Sequence, residues 1–508
     1  MLRALILGCL ISAGPLAAQT AERHSAASGA AATITATDVA RRVGIIADDS
    51  MLGRDTPSRG LELTAAYVAS QFRRFGLRPG GDGGGWFQRY PITRRRFDRD
   101  ASRVVLAANG VEAEVRFDRT ARYLQGMVTG APLTGPTVLV GGAPDAAAVG
   151  RMPLRDKIVV YVSDFDAAPS DRATQAVRAI RLGAPRAVLF VANLSPERFA
   201  ARIPRSMAAR TAVDLKLVSP PYVEVAEAAV APVLRSAGVD LASVRADTAA
   251  VFRELPGMRA RLELRDSVLE ALTAPNTVGI LEGSDSVLRK EYLIYSAHMD
   301  HIGITPGRAD SVNNGADDDA SGTAGVIELA EAFSRPGARP RRSIIFLTVS
   351  GEEKGLWGSR YFSEHPPVPI DRIVADLNID MIGRNWRDTI VAIGKEHSDL
   401  GATLERVNRA HPELGMTAIA DRWPEERFYF RSDHYNFARK GVPILFFFNG
   451  VHPDYHQVTD SPDKIDSEKE ARILRLLYHL GRDIADAPER PKWNPDSYRE
   501  IVDDPVQP

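Results

Sequence analysis

At 508 residues the chain exceeds what one ordinary hydrophobic core accommodates, and it reads as two domains or as one large domain carrying an insertion. Its 44% apolar and 25% charged residues are those of a soluble globular protein. Lys+Arg 64 against Asp+Glu 65 leave a net charge of −1, which excludes a polyelectrolyte surface for nucleic acid and a basic anchor for anionic membranes.

The first eighteen residues, MLRALILGCLISAGPLAA, carry one Arg, an apolar stretch from Ala4 to Ala13 and small residues at the end. This is the pattern of a secretory signal cleaved after Ala18, with an apolar run too short to span a membrane, and it predicts a secreted or periplasmic protein. Cys9 is the only cysteine and falls inside that segment, so the processed chain would hold no thiol, which excludes cysteine catalysis, thiolate ligands and disulfides. Its early position disfavours lipid anchoring.

Residues 19–36 are rich in Ala, Ser and Thr and read as a flexible lead-in. Thr37-Asp38 precedes VARRVGIIADD, a capped helix, and a second helix is expected over 59–75, where Ala65, Val68, Phe72 and Phe75 recur at helical spacing. The glycines from 80 to 85 follow a helix rather than a strand and lack a Lys-Ser/Thr ending, so they read as a surface turn and not as a phosphate cradle. Residues 37–127 are assigned to the first part of the main domain.

From 128 to 260 the texture changes to short strands (Thr137–Val140, Lys157–Val162, Ala187–Val191) alternating with helices at 171–184 and 222–237. No His occurs between His24 and His298, so this stretch offers no evident metal chemistry and reads as a small inserted α/β module. After 273 strands and helices alternate: strand 291–297, helix 320–333, strands 343–350 and 373–380, helix 400–410, strand 442–448, helix 468–487. This predicts a doubly wound, mostly parallel sheet flanked by helices over 261–488, with 489–508 as a loosely packed tail.

Several short stretches place metal-binding residue types at or just after predicted strand ends. They are His298-Met-Asp300, Glu352-Glu353, Asn378-Ile-Asp380 and Tyr455-His456, joined by Asp317, Asp318 and Asp319 in the loop that opens a helix. Strand ends on one rim of a parallel sheet converge in space whatever their separation in sequence. Two imidazoles with three or more carboxylates suit zinc, manganese or cobalt better than calcium. Two dications balanced by three carboxylates and a shared hydroxide would be neutral, and so tolerable in a partly dry cleft. Glu352 and Glu353 are adjacent, so one can bind metal while the other faces the attacking water as general base. There is no H-E-x-x-H and no G-x-S-x-G, and the DDDASG run lacks the spacing of a calcium loop.

In SAHMDHIG, NNGADDDASGTA, SGEEKGLWGS, NIDMIGR and FFNGVHPDYHQVTD, in that order over about 270 to 470, the sequence resembles the M28 family of di-zinc metallopeptidases, most of which are aminopeptidases. The inserted stretch, with VLVGG, DKIVVYVSD and GAPRAVLFVAN, resembles a protease-associated domain in texture. The resemblance implies a zinc exopeptidase-like fold and two Zn2+ ions, replaceable by Mn2+ or Co2+. It assigns His298 and Asp380 to one metal, Glu353 and His456 to the other, and Asp318 to a bridge between them. Glu352 would be the general base, Asp300 would orient its histidine or the base, and Tyr455 would polarise the scissile carbonyl. Position 317 is Asp where relatives often carry Asn, and the glycine spacing places the bridge at Asp318 and frees Asp319 or Ser321 to cap the helix. His301 and His434 are read as supporting or surface histidines, and Arg431-Ser-Asp-His434 as a stretch that lines the cleft or serves the structure. The implied reaction is removal of N-terminal residues from peptides. Acyl transfer by a glutaminyl-cyclase-like relative and an inactive binding protein with the inserted domain are the competing expectations.

Overall fold

The structure, a computed structural model, describes residues 29–503 apart from 127, 129, 163–170, 204–208, 214–219 and 308. The expected signal segment and Cys9 lie outside the described residues. Two compact units divide the chain, one formed by the residues up to Tyr90 together with those from Thr273, the other by Pro91–Leu272.

The second unit starts earlier and ends later than the 128–260 read from sequence, and strand pairing is the reason. Arg103–Ala108 pairs antiparallel with Val111–Arg116 on one side and with Met258–Glu263 on the other. Residues near 110 and near 260 therefore share one small sheet. A second sheet aligns Thr137–Gly142, Ile158–Val162, Ala187–Ala192 and Tyr222–Ala226 in parallel, with antiparallel strands Ala250–Glu254 and Ala121–Gln125 at its edges. Tyr222–Ala226, expected as the start of a helix, is a buried strand because YVEVA is β-branched and aromatic, and the helix begins at Glu227.

The first unit opens with helices α1 (Ala36–Ile46) and α2 (Arg59–Arg74). The α1 cap is Thr35, whose side chain accepts the Asp38 amide, rather than the Thr37-Asp38 pair. The elements that follow are, in order, β1 (Asp266–Leu281, of which the residues from Thr273 belong to this unit), β2 (Tyr292–His298), α3 (Gly322–Phe333), β3 (Ser343–Val349), α4 (Trp357–Glu364), β4 (Ile373–Ile379), β5 (Thr389–Ile393) and α5 (Leu400–Ala410). Strand β6 (Thr417–Ile419), helix α6 (His434–Ala438), strand β7 (Ile444–Phe447) and helix α7 (Ser467–Asp486) complete it.

In this unit the strands lie in the order β1-β3-β2-β4-β7-β5-β6. The β3-β2-β4-β7 core is parallel, while β1 and β5 join it antiparallel. Successive side chains on a strand point to opposite faces, and the apolar runs are buried on both. Leu293 and Tyr295 of β2, Phe346 of β3 and Phe447 of β7 pack with α1, α3, α5 and α7. Ile294, Leu347 and Phe446 pack on the other side with Phe362 of α4 and Phe437 of α6. This is the doubly wound α/β arrangement the alternation predicts. It directs the carboxyl ends of β2, β3, β4 and β7 to one rim.

Two terminal expectations are corrected by packing. Ala30, Ala31 and Ile34 are buried in the core beside α1, so the chain is already ordered before residue 36. Near the other end Trp493 Nε1 donates to the Gly441 carbonyl at 2.9 Å and Ile501 is buried, so the stretch after 489 is fastened down as far as it is described.

Candidate metal centre and active site

Each ligand motif sits where the rim places it. His298 is the last residue of β2, Asp380 follows β4, Glu352 and Glu353 follow β3, and His456 lies in the loop beyond β7. Asp318 lies in the Ala316–Ser321 turn that leads into α3. Gly322 opens that helix because a Cβ there would stand 2.2 Å from the Ile379 carbonyl oxygen, so only glycine lets the turn close on β4.

These side chains form two clusters that share Asp318: His298, Asp318 and Asp380 in one, His301, Asp318, Glu353 and His456 in the other. Asp318 Oδ1 is 3.2 Å from His298 Nε2, which is 3.6 Å from Asp380 Oδ1. The other carboxylate oxygen, Asp318 Oδ2, is 3.1 Å from His456 Nε2, which is 3.1 Å from Glu353 Oε2. His301, read from sequence as a supporting or surface residue, is fully buried and places Nδ1 2.8 Å from Glu353 Oε1, so the surface alternative is excluded. His434 is also buried, but it faces away: its Nε2 meets the Tyr429 carbonyl at 2.7 Å, its ring stacks on Phe446, and burial lowers its pKa to about 3.

The donor set fits a metal by its unspent atoms. Asp380 Oδ1, His456 Nε2 and His301 Nε2 are buried and make no hydrogen bond among the described residues, which is costly for groups left that way. Burial by itself would lower the pKa of His298, yet the Asp380 and Asp318 carboxylates outweigh it and raise that pKa well above the usual value. His456 likewise rises to about 10 against its burial, through Asp318 and Glu353. Carboxylates that favour positive charge on neighbouring imidazoles make a surrounding suited to imidazole- and carboxylate-binding metals such as zinc.

Around the clusters, further side chains set the geometry: Asp300 and Asp319, which the sequence singled out, and Arg54, Thr56 and Asp460, which it did not. Arg54 is fully buried and spends its guanidinium on main-chain carbonyls: Nε on Met299 at 2.9 Å, Nη2 on Gly315 at 2.9 Å, and Nη1 on Ile46 and Asn314. It thereby ties the loop after β2 to the loop before α3. Thr56 donates to Asp300 Oδ2 at 2.9 Å and accepts the Gly351 amide at 3.1 Å, while Asp300 Oδ1 accepts the Glu352 amide at 3.3 Å. Asp300 thus steadies the backbone of Glu352; its carboxylate is 3.8 Å from His298 Nδ1, which lies 3.2 Å from the Asp300 carbonyl instead. Asp460 accepts the amides of Asp317 and Asp318, and Asp319 accepts those of His298, Gly322 and Met381. Asp317 accepts the Gly383 amide and stands 3.2 Å from His452, outside both clusters. Ser432 donates to Asp380 Oδ2 at 2.9 Å.

Glu352 belongs to neither cluster, but it lines the cleft above them with His298, Asp318, Asp380 and Tyr455. Burial, with Asp433 and Glu353 nearby, raises its pKa well above the usual carboxylate range despite His298. Tyr455 stacks on His456 with ring centroids 3.9 Å apart, and burial next to the same carboxylates raises its pKa, so it remains a phenol and a donor.

The mostly parallel sheet thus gathers imidazoles and carboxylates at its carboxyl rim, which is where open α/β sheets carry their sites. Residues 276–481 match Peptidase family M28. Among curated relatives, leupeptin-inactivating enzyme 1 of Streptomyces exfoliatus is 32% identical over 159 residues, 30% of this chain and 34% of the relative. A probable zinc metalloprotease of Pyricularia oryzae is 27% identical over 255 residues, 42% of this chain and 50% of the relative. The chain therefore spans about a third to a half of the length of these relatives. An aminopeptidase from Aneurinibacillus sp. strain AM-1 is 18% identical with a TM-score of 0.47, over 91% of this chain and 96% of that one. Among the described residues no helix is long and apolar enough to cross a membrane.

Proposed function

We propose that the protein is a zinc-dependent exopeptidase, in the first instance an aminopeptidase, that holds two zinc ions and removes N-terminal residues from peptides. The observation that carries the reading is the pair of clusters sharing Asp318, with Glu352 beside them in the cleft. His298 and Asp380 would hold one ion, Glu353 and His456 the other, with Asp318 between the two. Zinc bound there supplies Lewis-acid activation of a water and of the scissile carbonyl.

Glu352 takes the proton from that water as it attacks and returns it to the leaving amine. The Tyr455 hydroxyl donates to the carbonyl oxygen as negative charge builds there. Asp300, anchored by Thr56, holds the Glu352 amide and so fixes the base relative to the carbonyl. The aminopeptidase direction and the zinc chemistry draw support from the family and from the relatives' names. Export from the cytoplasm and a protease-associated role for the inserted unit belong to the same reading.

Glu352→Gln should retain bound zinc while turnover of leucine anilide falls by about 100- to 10,000-fold. Retained activity above a few per cent would remove Glu352 from the base role. A panel of free-amine and N-blocked peptides, with and without chelator, tests direction: cleavage confined to free amines, lost with chelator and restored by zinc, is expected.

A further inference from the structure

One residue at the mouth of the cleft is left out of the chemistry above. Arg431 is the one Arg or Lys among the residues that line it. The other charged lining groups, Asp318, Glu352 and Asp380, are carboxylates at the metal end. The cleft therefore carries opposite charge at two places.

Arg431 is held so that its donors stay available. Its guanidinium lies 4.7 Å from the centre of the Phe428 ring, which supports the cation through the ring face and leaves N–H groups free to point elsewhere. Its ion pair is a loose one, Nη1 to Glu426 Oε2 at 3.3 Å, with both side chains about half exposed. Such a contact contributes little and is readily exchanged. The arginine is also tied to the centre. The next residue, Ser432, donates to Asp380, so the Arg431 backbone is one peptide unit from a side chain that touches a candidate ligand. A planar guanidinium with spare parallel donors is matched to a carboxylate, which it can bind through two hydrogen bonds.

We propose that Arg431 is a specificity residue that binds a substrate carboxylate, with Glu426 as the internal carboxylate that substrate displaces. This rests on the peptidase reading and narrows it to short or acidic peptides. The carboxylate is either the free C-terminus of a dipeptide or an Asp or Glu side chain next to the scissile bond.

Two matched pairs of substrates, assayed on the zinc-loaded full chain, separate these sources: Leu-Ala against Leu-Ala-amide, and Leu-Glu-amide against Leu-Gln-amide. In at least one pair the carboxylate member should have the higher kcat/KM, by about tenfold or more. Arg431→Gln should bring that ratio close to one, Arg431→Lys should leave an intermediate ratio, and Glu426→Gln should raise the ratio by lowering KM for the carboxylate member. A ratio at or below one in both pairs, or a ratio unchanged in Arg431→Gln, overturns the proposal while leaving the peptidase reading intact. Failure of the zinc-loaded protein to cleave any of the four peptides or leucine anilide overturns the peptidase reading and the proposal with it.

Discussion

Around Arg42, the carboxylates of Glu328 and Glu331 close on a guanidinium that is itself fully buried, with Arg42 Nη1 2.7 Å from Glu328 Oε1. Around Asp318, the carboxylates of Asp318, Asp380 and Glu353 meet imidazoles and the Ser432 hydroxyl, and no Arg or Lys pairs with them among the described residues. Arg54 lies close by and donates to four main-chain carbonyls instead. The two clusters belong to the same unit and are comparably buried. The first carries its own counter-charge and serves to hold α1 against α3. The second has imidazoles in place of a guanidinium, which is the physical difference between an ion pair that supports a fold and a donor set suited to a metal ion.

Substitutions in the two clusters should fail in different ways. The largest effect is expected at the shared carboxylate: Asp318→Ala should leave the fold in place yet cut turnover by at least about 1,000-fold and reduce bound zinc at both positions. Elemental analysis of the purified variant decides it, and two retained equivalents would show that Asp318 is not shared. At the self-neutralised cluster, Arg42→Ala leaves Glu328 buried without its ion-pair partner, while Glu331 keeps Arg335, and should cost about 3–5 kcal/mol of stability, read by denaturant unfolding of the zinc-loaded protein. Its zinc content should equal that of the wild type.

The smallest expected effect is a pH dependence of the same pair. Burial raises the Glu328 pKa to about 7, opposed by Arg42 and reinforced by Asp38 and Glu331. The folded state then holds this proton more tightly than the unfolded one, so the contribution is present below pH about 4.5 and is lost as pH rises toward 7, at most about 3 kcal/mol. Glu328→Gln should flatten that part of the stability profile, and an unchanged slope between pH 5 and 8 would show that Glu328 is not its source.

How much of this was legible in the sequence depends on where each residue sits along the chain. Motifs at strand ends were readable, because an apolar run followed by His298, Glu352-Glu353 or Asp380 marks both the strand and the rim to which it points. The supports were not. Arg54 and Thr56 act on residues about 245 to 295 positions away, and nothing local in GRDTP announces that approach. His301 needed the fold as well, since only the return of the β3 loop brings Glu353 to its ring. The boundaries of the inserted unit had a local signal that was passed over. Asn109-Gly110 stands between the alternating runs RVVLAA and VEAEVR, and both residues adopt positive φ, 48° and 80°, as a tight hairpin requires. The short strands β5 and β6 lacked such a mark, and their pairing is decided by the neighbours they meet.

Arg54 has a consequence for anyone who cuts the molecule. A fragment starting at Thr273 would contain the candidate ligands His298, Asp318, Glu353, Asp380 and His456, the base and the phenol, and would still match the family over 276–481. It would lack the guanidinium that joins the loops bearing His298 and Asp318, and the hydroxyl that holds Asp300. The segment before the inserted unit is thus a remote part of the centre itself. An expression design that trims the chain to its recognisable peptidase core would discard the clamp while keeping every part it was meant to hold.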